Sequence, residues 1–325
     1  MTYPSVSVVI PTYNRATFLG AAVASIRAQT YACAEIVIVD DGSTDNTAEV
    51  IKELGAGINY IRQVNAGPAA ARNLGISRAS GDLIAFLDTD DRWLPDKIAL
   101  QVEVLRREPS VALVSADMAI EDERGVLCVA SNFARRGLQT FFHDLDGRSV
   151  PGAPSMMLKI NFINTSAVLA RRDVLLAMKG FDTRLRFGED LELWLRIAAR
   201  HGVACIPSVQ EIRVEHAHNV TKSIEPMLFG YVRLAEVIRE WASEQMLNWG
   251  LNANRYVAES LSDLGYWYFS QNQMKEARHM FIRSLREHPT LRAFLYFAAS
   301  TMPPFLISII RNSKSIKNKT LYINK

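Results

Sequence analysis

Carboxylates gather at three points of this 325-residue sequence. Asp88-Thr89-Asp90-Asp91 follows the apolar run 83–87, Asp40-Asp41-Gly42-Ser43 follows the run 36–39, and Glu189-Asp190 opens an amphipathic stretch. Acids this close repel one another and resist full ionisation unless a cation sits among them. Oxygen-rich ligation of that kind suits Mg²⁺ or Mn²⁺ bridging two phosphates, where the ion stabilises charge building on a diphosphate leaving group. An aspartate after the second run can accept the imide N–H of a uracil ring. Together the three clusters suit displacement at a carbon that carries a diphosphate. Capping of the helices that follow is the plainer use of each cluster, and it leaves the leading acids, Asp40 and Asp41 above all, unexplained.

The elements that must position these groups are legible from periodicity. Apolar runs at 6–10, 36–39, 58–61, 83–87 and 111–114 alternate with helix-length amphipathic stretches at 15–29, 44–54, 68–79 and 94–107. That alternation predicts an α/β fold with a mainly parallel sheet and helices on both faces, its ligands at the carboxyl ends of the strands. Pro11-Thr12-Tyr13-Asn14, Asp40-Asp41 and Asp88 to Asp91 all fall at such ends. Residues 121–159 lose periodicity and read as a surface excursion. Strands are expected again at 166–170, 203–207 and 209–214, with a helix over 190–201. The first domain is expected to close near residue 224, leaving a helical region over 225–325.

Within that region, 257–289 reads as two helices joined by Gln271-Asn272-Gln273. Leu264, Gly265, Tyr268, Ala277, Phe281 and Pro289 resemble the packing positions of one tetratricopeptide repeat. The segment 291–310 is apolar but interrupted by Pro303-Pro304, and every charged residue over 291–325 is basic. It suits either peripheral contact with a membrane surface or a terminal helix pair packed on the protein. A net charge of +3 with no basic-aromatic block excludes a nucleic-acid partner. Three widely spaced cysteines, Cys33, Cys128 and Cys205, and the lack of a signal-peptide pattern point to a cytoplasmic enzyme, held if at all to the inner face of the cell membrane.

Five motifs in order resemble family 2 glycosyltransferases of the GT-A fold: 7–15, 40–45, Gly67-Pro68-Ala69-Ala70-Ala71-Arg72-Asn73-Leu74-Gly75, 88–91 and Gly188-Glu189-Asp190. The resemblance spans about residues 4 to 222 and implies a Rossmann-like sheet that binds a nucleotide-sugar donor. Pro11, Tyr13 and Asp41 match positions that hold the nucleoside, and Arg72 or Asn73 the segment near the ribose and phosphates. Asp88 and Asp90 form the family's Asp-x-Asp pattern, with Asp90 or its neighbour Asp91 as ligand for Mn²⁺ or Mg²⁺. His216, with His218 as rival, matches a further metal or diphosphate contact, and Asp190 matches the catalytic base. The implied reaction is inverting transfer from a UDP-sugar, with dTDP or GDP as other donors. The acceptor would be a hydroxyl of a glycan or lipid-linked oligosaccharide in surface polysaccharide synthesis. A polyprenyl-phosphate acceptor and a non-catalytic scaffold acting through the helical region are the alternatives. A dinucleotide dehydrogenase or a nucleotidyltransferase would need a glycine-rich loop where Pro11 to Arg15 stand.

Overall fold

The computed structural model describes residues 3–216 and 223–302 of the chain. His218 and the basic stretch from residue 303 onward lie outside the described residues. The packing divides the chain into two units, residues 1–157 with 161–219 and residues 158–160 with 220–325.

The first unit is built on a nine-stranded sheet. Its strands are β1 (Val6–Thr12), β2 (Glu35–Asp40), β3 (Ile58–Arg62), β4 (Leu83–Phe86), β5 (Asp91–Trp93), β6 (Val111–Asp122), β7 (Leu127–Val129), β8 (Leu169–Arg171) and β9 (Gly202–Glu215). The helices between them are α1 (Ala16–Arg27), α2 (Thr47–Glu53), α3 (Pro68–Arg78), α4 (Lys97–Arg107), α5 (Asn132–Arg135), α6 (Gln139–Leu145), α7 (Ala153–Lys159), α8 (Arg172–Ala177) and α9 (Glu189–Ala198). The strand order is β3-β2-β1-β4-β8-β6-β9-β5, with β7 paired to β6. The β1, β2, β3 and β4 pairings and the β6–β9 pairing are parallel, while β8 lies antiparallel between β4 and β6. After β3 the chain returns to the other side of β1 to form β4. Carboxyl ends of neighbouring strands diverge at such a reversal and leave a crevice for a ligand.

The sheet forms because its strands can bury both faces. Val6, Val8 and Ile10 of β1 join Leu19, Val23 and Ile26 of α1 and Ile98, Val102 and Leu105 of α4 in one buried cluster. Each such side chain contributes about 1.5–3 kcal/mol. Val9 points the other way, to α3, where Gly75 permits close approach: a Cβ there would stand 2.3 Å from Val9 Cγ1.

Several elements differ from the periodicity. The strand expected at 111–114 continues to Asp122 because β9 runs beside it as far as Glu215. The two strands expected at 203–207 and 209–214 are one, with register shifts around Ala116 to Met118 absorbing Pro207 and Ser208. The strand expected from 166 begins as a 3-10 turn, Thr165–Ala167, and β8 starts only at Leu169. The excursion over 121–159 carries β7 and the short helices α5 to α7.

The second unit is helical among its described residues: α10 (Ile224–Asn248), α11 (Ala253–Ser270), α12 (Met274–Glu287) and α13 (Leu291–Ser300). Leu228 and Val232 of α10, Leu261, Leu264 and Phe269 of α11, Ala277 and Phe281 of α12, and Ala293 and Ala299 of α13 share its core.

Buried charge is found inside the first unit. Lys97 of α4 and Glu211 of β9 have no solvent exposure. Lys97 Nζ donates to Gln101 Oε1 at 2.8 Å and lies 4.1 Å from the centroid of the Trp93 ring. Glu211 accepts from Asn164 Nδ2. Burial pushes the Lys97 amine down to about 7, with Glu211 opposing the shift, while burial and then Asp91 push the Glu211 carboxyl well up. Between about 7 and the ordinary 10.5, the unfolded chain therefore binds more protons at Lys97 than the folded one, and stability rises with pH. Lys97→Met is expected to remove that rise; urea midpoints at about pH 7 and about pH 10 check it, and an equal rise in the variant would contradict it.

Candidate functional site

The β1 and β2 ends are held together by side chains. Asn14, with a left-handed φ of 51°, donates its N–H to Ser43 Oγ at 2.9 Å and accepts from Thr44 N on Oδ1 at 2.7 Å. Asp40 accepts from Ser43 N at 2.8 Å and from Tyr60 Oη at 2.9 Å, which fixes the turn. Asp41 is buried; its Oδ1 accepts from Gln63 Nε2 and Ala66 N, and its Oδ2 from Gly67 N. The carboxylate thus organises the 63–67 segment that leads into α3, and Oδ2 retains a lone pair for one further donor. Tyr13 is 47% exposed, which leaves its ring face open, and the Pro11 carbonyl accepts from Thr89 Oγ1 at 2.8 Å. That last bond joins the end of β1 to the acid loop after β4.

The acid loop is divided by burial. Asp90 is half-buried, and its Oδ2 lies 2.8 Å from His216 Nε2. The buried His216 ring stacks on Phe18 of α1, with centroids 5.0 Å apart. Asp91 points inward, where Ser166 Oγ donates to its Oδ2 at 2.6 Å. Burial first, and then the neighbouring Asp90 and Asp88, push its carboxyl up to about 7. Asp88 is partly open and accepts on Oδ1 from Arg72 Nη2 at 2.7 Å, while its N–H donates to Ser166 Oγ.

Arg72 ties this loop to the start of α9. Its Nη1 donates to Glu189 Oε1 at 2.8 Å, and the guanidinium lies over the Phe181 ring. Burial works against its charge, but Asp88 and Glu189 outweigh it and raise the pKa further. Glu189 is itself pushed up to about 7 by burial, with Arg72 opposing and Asp190 adding to the shift. Asp190 accepts from Thr165 Oγ1 on Oδ2 at 3.0 Å and from Leu191 N on Oδ1 at 2.7 Å. Gly188, in the left-handed region, turns the chain into the helix and leaves both acids in its first turn.

Asp88, Arg72 and Asp190 are therefore joined through Glu189 and the Thr165-Ser166 turn, and Asp90 of the same acid loop pairs with His216, whereas Asn73 bonds elsewhere. Its amide pairs with both backbone groups of Phe181, Nδ2 donating at 2.8 Å and Oδ1 accepting at 2.7 Å. Of the pair Arg72 or Asn73, expected in the segment near the ribose and phosphates, Asn73 has its amide engaged with the Phe181 backbone. Gly180 closes that contact, because a Cβ there would stand 2.2 Å from Asn73 Oδ1. Periodicity did not single out Thr165 and Ser166, which link Asp190 to Asp88 and Asp91, nor the buried Glu211. The signals present were two adjacent hydroxyls heading an apolar run and a lone acid inside a strand.

The donor set fits a divalent cation. Among the described residues no three acidic, histidine or cysteine side chains form a closed cage. Mg²⁺ and similar ions bind through one or two carboxylates and complete their shell with water and substrate phosphates. The half-buried Asp90 carboxylate beside His216, with the more open Asp88 next to it, offers that kind of half-shell.

Residues 7–158 match the family model described as Glycosyl transferase family 2. An uncharacterised glycosyltransferase of Rickettsia felis is 29% identical over 237 residues, which are 72% of this chain and 37% of the relative. One of Nostoc is 44% identical over 113 residues, 34% of this chain and 35% of the relative. The chain thus spans about a third of the length of these curated relatives. Among solved structures, S. aureus TarS 1-349 in complex with UDP-GlcNAc superposes with a TM-score of 0.65 at 15% identity, over 91% of this chain and 90% of that one. The Pyrobaculum calidifontis mannosyltransferase PcManGT in complex with GDP-Man and Mn²⁺ does so with a TM-score of 0.60 at 18% identity, over 99% and 83%. Such identities speak to the fold alone. Residues 7–158 are thus similar to family 2 glycosyltransferases, and the chain has a GT-A-like α/β scaffold.

Proposed function

We propose that the chain is an inverting glycosyltransferase that moves a sugar from a nucleoside-diphosphate donor, a UDP-sugar foremost, to a hydroxyl of a glycan or glycolipid acceptor in surface polysaccharide synthesis. The observation that carries this reading is the buried bridge from Asp88 through Arg72 to Glu189, which joins the phosphate-side acids to Asp190. TarS, bound to UDP-GlcNAc, and PcManGT, bound to GDP-Man and Mn²⁺, support the donor class.

In this reading the nucleoside lies along Tyr13 and Asp41. Asp41 Oδ2 offers its remaining lone pair to a ring N–H, and the exposed Tyr13 ring offers a stacking face. Asp90 and His216 would hold a divalent cation, which supplies charge stabilisation for the departing diphosphate. Asp190 accepts the proton of the acceptor hydroxyl as that oxygen bonds to the anomeric carbon and the carbon–phosphate-oxygen bond breaks on the opposite face. The configuration inverts in this single step. Thr165 and Leu191 N fix the carboxylate's orientation, and Arg72 holds the start of its helix. Outside the site, we read α11 and α12 as one tetratricopeptide-like pair, packed between α10 and α13 because a lone repeat cannot bury its own face.

Asp190→Asn is expected to lower kcat by roughly 10²–10⁴-fold with little change in donor KM. Steady-state kinetics with a panel of nucleotide sugars, and proton NMR of the product anomer, check this. Undiminished turnover would reject the base, and retained configuration would reject direct displacement. Comparing oligosaccharide with polyprenyl-phosphate acceptors separates the two acceptor classes. Arg72→Met leaves Asp88 and Glu189 without their shared cation, so a stability loss of roughly 3–5 kcal/mol is expected in denaturant unfolding. Arg72→Lys should rescue it only in part, since an ammonium cannot fork between two carboxylates. Wild-type stability in Arg72→Met would show that the bridge is dispensable.

A further inference from the structure

Helix α13 is apolar on both sides. Ala293 and Ala299 face the core of the helical unit. The opposite side carries Leu291 at 74%, Phe294 and Leu295 at 56% and, just beyond the helix, Met302 at 40% exposure. Positions 291, 294, 295 and 302 lie on one stripe of a 3.6-residue helical period. No helix among the described residues is long and apolar enough to cross a membrane.

Charge decides what could cover it. From residue 291 onward the sequence holds Arg292, Arg311, Lys314, Lys317, Lys319 and Lys325 and no Asp or Glu, with the apolar Phe305-Leu306-Ile307-Ser308-Ile309-Ile310 between. Arg292 pairs with Asp263, and on the neighbouring helix α12 Arg283 pairs with Glu236, so the excess positive charge is that of the lysines and arginine that follow α13 in sequence. Apolar residues beside unbalanced cations match a surface that is apolar at shallow depth and anionic at its headgroups. A protein partner would need acidic groups arranged around an apolar ridge, whereas an anionic bilayer offers both everywhere.

We infer that the α13 stripe, together with the basic residues that follow it in sequence, docks the chain on an anionic lipid surface. Leu291, Phe294, Leu295 and Met302 enter the acyl boundary, and the Lys and Arg side chains pair with acidic headgroups. Such docking would set the chain beside acceptors carried on lipid; the inference itself stands on the stripe and the charge pattern, independently of the reaction.

Co-sedimentation of the 325-residue chain with phosphatidylcholine vesicles, with and without phosphatidylglycerol, tests it. Binding is expected only with the anionic lipid, and it should weaken as NaCl is raised. F294S/L295S is expected to lower the partition coefficient by at least about tenfold. K314Q/K317Q/K319Q should also lower it by at least about tenfold, each lysine being worth close to fivefold near the surface. None of these residues belongs to the proposed catalytic site, so donor hydrolysis in solution should stay at the wild-type rate and serves as the folding control. No binding to phosphatidylglycerol vesicles, or unchanged binding by F294S/L295S, would overturn the inference. A lipid-free dimer that F294S/L295S dissociates would overturn it too, since the stripe would then be covered by a second copy.

Discussion

A guanidinium sealed from solvent between two carboxylates is the interaction on which the site depends. Asp88 follows the fourth strand, Glu189 opens the ninth helix, and a long stretch of chain lies between them; Arg72 holds both at 2.7 and 2.8 Å. Without such a link the first turn of α9 would bring Glu189 and Asp190 up to an edge already crowded with Asp88, Asp90 and Asp91, and like charges would push the two segments apart. Burial makes this costlier, because desolvated carboxylates cannot rely on water to screen them. The raised pKa values of Asp91 and Glu189 express that tension.

The surrounding structure serves to keep that arrangement rigid. Asn73, next in sequence to Arg72, pins the backbone of Phe181, whose ring lies under the guanidinium. Ser166 joins the backbone of Asp88 to the carboxylate of Asp91, and Thr165 beside it reaches Asp190. A short 3-10 turn therefore connects the acids on the phosphate side to the proposed base by a second route. The parallel strands provide the platform, since β1 and β4 are adjacent while the chain reverses direction around them. That reversal puts the residues after each strand at one crevice.

Much of this was legible in the sequence because parallel strands buried on both faces read as unbroken apolar runs, and the polar residues that end them stand out. The acid loops were visible in that way and the Glu189-Asp190 pair as an acidic helix start, whereas Arg72 stood out only through the family resemblance. Asn73 was named as the alternative to Arg72 through the motif alone, and a motif does not reveal that its amide bonds a backbone segment far along the chain. Thr165 and Ser166 escaped notice because a 3-10 turn has no period to announce it. Glu211 and Lys97 were hidden for the opposite reason: each lies inside an element whose other residues satisfy the pattern, and only three-dimensional packing reveals that the charge is enclosed. The continuous β9 could not be foreseen, since Pro207 signals a break unless a bulge accommodates it.

The central claim is that Asp90 and His216 form half of a metal shell that a nucleoside diphosphate completes. Titration of Mn²⁺ into the chain, followed by loss of the free-ion EPR signal with and without UDP, tests it most directly. Uptake at one site that requires UDP and is lost in Asp90→Asn is expected. Equal uptake by Asp90→Asn, or none with any nucleoside diphosphate, would contradict it.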